Sequence, residues 1–171
     1  MRMRILCGLL VVVVAAGAFA QTNTPAPAPS APDKELDARQ AKIGAYTGTW
    51  TGTSTCVGKN RPACKNEVIV FRFVPFPGSP WQTRLLGDKI VEGKRLPMGA
   101  FIFQYDEKTH GIRSEFKVGN THGEWSFIAE GDSLIGALIT LPDGEKGRDV
   151  RAHRVDDSKV PPAPALEEYE E

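Results

Sequence analysis

The run GIRSEFKVGNTHGEWSFIAE, Gly111 to Glu130, decides the fold. Gly119-Asn120 at its centre is the kind of dipeptide that closes a two-residue hairpin. A turn there places Val118 opposite Thr121, Phe116 opposite Gly123, Ser114 opposite Trp125 and Ile112 opposite Phe127. Successive side chains of a strand point to opposite faces. One face of the hairpin therefore carries Ile112, Phe116, Val118, Trp125 and Phe127, and the other carries Arg113, Lys117, His122 and Ser126. A bulky ring over a cross-strand glycine, Phe116 on Gly123, is a sensible pair. One pair is unfavourable: Glu115 faces Glu124, which costs stability unless water or a neighbouring base separates the charges.

The pattern continues outward on both sides. Across the turn DEKT (Asp106–Thr109), Phe103 is predicted opposite Ile112 and Phe101 opposite Ser114. Across residues 130–132, Leu134, Gly136 and Leu138 join the same apolar face. Further strand candidates are Glu67–Val74, Thr83–Val91, Met98–Tyr105, Asp132–Leu141 and Arg148–Val155, most of them separated by short turn signals. The first strand, YTGTWTGTSTC (Tyr46–Cys56), repeats threonine at every odd position. Threonine is β-branched and polar, so it suits the wet face, leaving Tyr46, Trp50 and Cys56 with two glycines on the dry one. The expectation is an all-β domain, an eight-stranded antiparallel up-and-down barrel, with a short N-terminal helix over 33–43.

Two strands break the alternation. Val68 and Val70 leave both faces of 67–74 apolar. Strand 132–141 carries Ile135, Ala137, Ile139 and Leu141 on its second face. A strand apolar on both sides needs two covers. The helix at 33–43 is the expected cover for Ile135 and Ile139; the alternative is a second copy of the chain, a homo-oligomer through the same patch.

Residues 1–20, with Arg2 and Arg4 ahead of a short apolar stretch and Ala18-Phe19-Ala20 at its end, read as a cleaved signal peptide rather than a membrane anchor. Cys7 would leave with it. Residues 21–32 (QTNTPAPAPSAP) read as a Pro/Ala spacer and 33–155 as the folded unit. Residues 156–171 hold six acidic side chains against Lys159 and read as a disordered acidic tail. The chain carries 21 basic and 21 acidic residues, so no strongly basic face is implied and nucleic acid is excluded as an expected partner. After cleavage Cys56 and Cys64 remain, and one even pair in an exported chain predicts a disulfide, adding about 2–3 kcal/mol if unstrained. The product is expected in the periplasm or outside a bacterial cell, with no integral membrane segment.

Tyr46-Thr47-Gly48-Thr49-Trp50, after a short helix, resembles the aromatic-x-Gly-x-Trp signature of lipocalins, and Thr47-Gly48-Thr49-Trp50 resembles the opening strand of avidin-type barrels. Both are calycins. The resemblance implies that Trp50 closes the barrel floor under an arginine of the last strand, Arg154 or else Arg151, in a cation–π contact. It departs from the lipocalin pattern in mid-chain, where only Gln104-Tyr105-Asp106 stands for a Thr-Asp-Tyr-like turn. Three tryptophans are too few for an avidin biotin site.

No phosphate loop, nucleophile elbow or Ser/His/Asp spacing is visible, so no enzyme and no cofactor are expected. His110 and His122 share a Thr-His-Gly context, but the hairpin register sends them to opposite rims, which argues against a metal site. The inner rings Phe71, Phe73, Phe101, Phe103, Tyr105, Phe116, Trp125 and Phe127 read either as packed core or as the lining of a ligand cavity. Lys59, Arg61 and Lys65 make the Cys56–Cys64 loop basic, either a solvated tip or a gate for an anionic head group. The functional expectation is an exported binding module for a small apolar or amphiphilic ligand; the alternative is an envelope interaction protein with a filled barrel.

Overall fold

Eight consecutive strands close into one barrel: β1 (Gly48–Cys56), β2 (Glu67–Pro75), β3 (Gln82–Val91), β4 (Lys94–Asp106), β5 (Gly111–Val118), β6 (Thr121–Glu130), β7 (Ser133–Thr140) and β8 (Lys146–Val155). Every strand runs antiparallel to its neighbours, and β8 pairs with β1 to remove the last free edge. The computed structural model describes residues 31–58 and 62–169, with side chains from residue 34. The segments expected to be signal peptide and spacer, up to residue 30, together with Lys59, Arg61, Glu170 and Glu171, fall outside the described residues.

The β5–β6 hairpin has the register read from its sequence, from Val118 opposite Thr121 to Ile112 opposite Phe127. The Glu115–Glu124 pair is relieved by two bases. His122 Nε2 lies 2.6 Å from Glu115, and Arg113 Nη1 lies 3.9 Å from Glu124. Across the next turn, Phe127 faces Gly136 and Trp125 faces Leu138. A Cβ on Gly136 would sit 2.1 Å from the Phe127 ring, so this position accepts nothing larger than hydrogen.

The β4–β5 register differs from expectation by two residues. Tyr105, not Phe103, faces Ile112, and Gln104 faces Arg113. The turn is formed by residues 107–110 instead of 106–109. The Asp106 carboxylate accepts the Lys108 N–H at 3.0 Å, and His110 takes the left-handed conformation (φ 52°). A slip of two preserves which side chains face inward, so the barrel interior is unchanged in kind. At the other end of β4, Gly99 pairs with Gly87 and Pro97 with Asp88, leaving Met98 as the extra residue of a bulge.

The dry side of the wall meets in one aromatic cluster. Trp50, Phe73, Phe103 and Phe127 are enclosed, with Ile69, Ile112, Leu134 and Val150 between them. Phe127 is the hub, with ring centroids 5.9 Å from Phe73, 5.3 Å from Phe103 and 5.7 Å from Phe71. Each enclosed ring buries about 150–250 Å², so these few side chains supply much of the folding drive. The threonines of β1 lie on the outside. Thr51 donates to the Ile69 carbonyl at 3.0 Å, and Thr49 to Asp157 at 3.0 Å.

Helix α1 (Ala31–Gly44) starts two residues before Asp33. It does not cover Ile135 and Ile139. Residues 45–47 are too short a link to carry it around the wall, so it lies across the barrel end where β1 begins. There Ile43 enters the core, Lys42 pairs with Glu107 at 2.7 Å, and the Arg39 guanidinium stacks 3.3 Å above the Trp81 ring. Ile135 stays 53% exposed and Ile128 43%, so this wall is bare.

The acidic segment after β8, expected to be disordered, instead runs over the outer face of β2–β4. Short 3-10 turns at Asp157–Lys159 and Leu166–Tyr169 shape it. Asp88 and Arg95, side by side on that outer face, are its anchor. Arg95 Nε donates to Asp88 at 2.7 Å, and the Tyr169 hydroxyl donates to the other Asp88 oxygen at 2.7 Å. Arg95 also reaches the Pro161 carbonyl at 3.3 Å. This cover explains part of the ambiguous strand: Ile69, Phe71 and Phe73 face inward, and Val70 is buried on the outer face, whereas Val68 on that face stays 50% exposed. Burial first, then the hydrogen bond to Asp88, pushes the Tyr169 hydroxyl well above the usual phenol range.

Candidate ligand site

Antiparallel connections alternate between the two ends of the barrel. Helix α1, the loop at 76–81 and the turns at 107–110 and 131–132 lie at one end. The β1–β2 loop and the turns at 92–93, 119–120 and 141–145 lie at the other. The helix end is closed. Trp50 fills it, donating its indole N–H to the Tyr46 carbonyl at 2.8 Å, and the Arg154 guanidinium lies 4.1 Å above the ring. Arg154 also donates to the carbonyls of Thr47 and, at 2.6 Å, of Ala45, tying the β8 end to the helix exit. Arg151 is exposed on the outer face opposite Ile135. Tyr46 is buried beside this floor, and burial raises its pKa above the ordinary phenol value.

The opposite end is open. Between the aromatic floor and the rim lies a cavity of about 350 Å³. Phe71, Leu85, Phe101, Met98 and Trp125 give it an apolar wall. Other hollows lie on the outside of the barrel: one beneath the helix and the 75–82 loop, one beside the tail, and one along β5–β8. Three charged side chains enter the open end from inward positions: Glu67 on β2, Lys89 on β3 and Arg148 on β8. Arg148 Nη1 lies 2.9 Å from the Glu67 carboxylate and 3.0 Å from the Ser54 hydroxyl, to which it donates. A charged network on an otherwise apolar wall gives the cavity a polar pole and a greasy one.

The eight ring positions divide between these regions. Phe73, Phe103 and Phe127 form the solid floor, at 0%, 0% and 1% exposure. Phe71, Phe101 and Trp125 line the cavity, and Phe116 packs behind Phe101 with centroids 5.5 Å apart. Tyr105 belongs to the closed end, with Lys42 Nζ 5.2 Å from its ring. The rim loop is tied by the Cys56–Cys64 disulfide, with Cα atoms 6.0 Å apart. Cys56 N–H donates to the Asn66 side chain at 2.9 Å. Of the three expected mouth bases only Lys65 is described, and it is exposed.

Sequence reading missed Glu67, Ser54, Lys89 and Arg148. The signal was available: counting by two from Val150 puts Arg148 inward, and from Phe71 puts Glu67 inward. His110 sits in a closed-end turn and His122 at the open end. Among the described residues no group of three or more His, Cys, Asp or Glu is placed to hold a metal ion.

The fold and site define a closed up-and-down barrel of eight antiparallel strands with one blocked and one hollow end. The chain matches no protein-family model, and no curated protein matches it. Among the described residues no helix is long and apolar enough to cross a membrane, which carries no information about strands.

Proposed function

We propose that this protein is an exported, non-enzymatic carrier of a small amphiphile, built on a lipocalin- or avidin-like plan. The observation that carries the reading is the cavity of about 350 Å³ with Lys89 and the Arg148–Glu67 pair at one side and Phe71, Phe101 and Trp125 at the other. That volume is at the low end of small-molecule sites, so the ligand is short. An acidic head group suits the pole: it can accept from Arg148 or Lys89, and a chain or ring system then lies on the aromatic wall. The Trp50–Arg154 stack and the motif around Trp50 support the kinship. The disulfide supports an oxidising compartment and hence export.

Trp125 is the built-in reporter, since it is the one tryptophan on the cavity wall. Titration with medium-chain fatty acids and short isoprenoid acids is expected to change its fluorescence saturably and to raise the melting temperature. The matching alcohols should bind about tenfold or more weakly, since they forgo a charge-assisted hydrogen bond, and Arg148→Met with Lys89→Met should erase that difference. A panel of acids and alcohols that leaves both fluorescence and melting unmoved would sink the carrier reading in favour of a filled interaction barrel.

A further inference from the structure

We infer that the open end docks on an anionic lipid surface. Four of the exposed large apolar side chains cluster there: Val57 (42%), Val91 (41%), Leu96 (40%) and Val118 (68%). They belong to three of the four rim connections, β1–β2, β3–β4 and β5–β6. Val118 is the most exposed large apolar side chain of the described residues and sits beside the Gly119-Asn120 turn. An isolated exposed valine needs no cause, but apolar tips gathered on one end do.

The unpaired charges on the same three tips are mainly basic. Lys65, Lys94 and Lys117 accompany the apolar side chains, and among the described residues none of them has a carboxylate within 4.0 Å. The acids nearby are largely engaged: Glu67 with Arg148, Glu115 with His122. Glu92 and, on the fourth connection, Asp143 are the exposed exceptions. At the far end Glu107 is paired with Lys42 and Asp132 with Arg154, while Glu130 and Asp156 stay exposed and its lysines and arginines are partly engaged. Short apolar tips flanked by unpaired lysines match the interfacial region of a bilayer containing acidic lipids, where greasy side chains enter the headgroup boundary and lysines meet phosphates. Attraction of the unpaired rim lysines orients the barrel mouth-down. Docked this way, the cavity opens towards lipid. The argument uses the outer rim alone and does not depend on what the cavity holds.

Flotation of the purified, disulfide-bonded protein with vesicles tests it. Phosphatidylcholine vesicles containing phosphatidylglycerol are expected to carry the protein at low salt, and pure phosphatidylcholine vesicles are not. Salt at several hundred millimolar should release it. Lys94→Gln with Lys117→Gln should weaken binding about five-fold for each lysine. Val91→Asp with Val118→Asp should abolish it. Ile128→Asp with Ile135→Asp, on the bare side wall, should leave it unchanged. No flotation with acidic vesicles at low salt, or equal losses from rim and side-wall variants of unchanged circular dichroism, would overturn the proposal. Fluorescence titration in the absence of vesicles reports the cavity separately, so either reading can fail alone.

Discussion

The two halves of the barrel interior are built from the same residue types and end in opposite states. Towards the helix, Phe73 meets Phe103 and Phe127 edge to face, with Trp50 beneath them, and the cluster leaves no room. Towards the rim, Phe71, Phe101 and Trp125 line the wall around a void. The difference lies in what stands opposite each ring. In the floor, Gly136 admits Phe127 to the centre, and the ring reaches its partners on β2 and β4. Near the rim, the inward positions of β2, β3 and β8 carry Glu67, Lys89 and Arg148, whose charged ends must stay near water. Polar ends cannot fill a dry centre, so the hollow persists where they enter. Aromatic content alone therefore does not tell a core from a cavity; the neighbours at the same level do.

The largest effect should come from emptying the filled half. Phe127→Ala should cost about 3–5 kcal/mol in denaturant unfolding, since it opens a cavity in a tightly packed cluster. Phe101→Ala should cost only about 1 kcal/mol, because a half-buried ring loses part of its transfer term and borders space already open. Equal losses would mean that the two halves are packed alike. A smaller contrast comes from adding a methyl group. Gly136→Ala should destabilise by about 1–3 kcal/mol through overpacking on Phe127. Gly87, whose added Cβ would meet the Phe71 ring at an ordinary 3.6 Å, should accept alanine with a gain of about 0.4–1 kcal/mol.

The outer walls repeat the contrast of covered and bare, and pH should separate them. Tyr169 must stay protonated to donate to Asp88. A phenol with a raised pKa contributes stability that is complete below its ordinary value of 10.0 and falls as pH climbs above it. Proteolysis of the tail should therefore accelerate above that pH in the wild-type chain. In Tyr169→Phe, with no phenol to ionise, the rate should be flatter across the same range. Identical profiles would show that Tyr169 does not hold the strap.

Much of the wall was legible because period two leaves a strong trace. The β5–β6 hairpin could be registered from Gly119-Asn120 and its rings alone. The β4–β5 turn could not, because both settings keep the same inward parity and the deciding feature is one Asp106 side-chain bond. The helix position was misread because Ile135 and Ile139 suggested a partner, whereas the three-residue link to β1 determined it. The tail was hidden for another reason. Its composition is that of a solvated segment, and a single tyrosine aimed at an ion pair has no periodicity to betray it. Within the site, the rings carry the apolar period, whereas Glu67 and Arg148 stand at strand ends, where a charge reads as the start of a loop.

Thr49 pairs with Val155, so the first and last strands are zipped along their length. The circle of strands has no seam. A gene rearranged to begin after Asn120 and to bridge Val155 to Gly48 with a few residues would keep all eight strand pairings and six of the seven connections, giving up the Gly119-Asn120 turn, helix α1 and the strap. For this wall, the place where translation starts is a matter of wiring rather than of architecture.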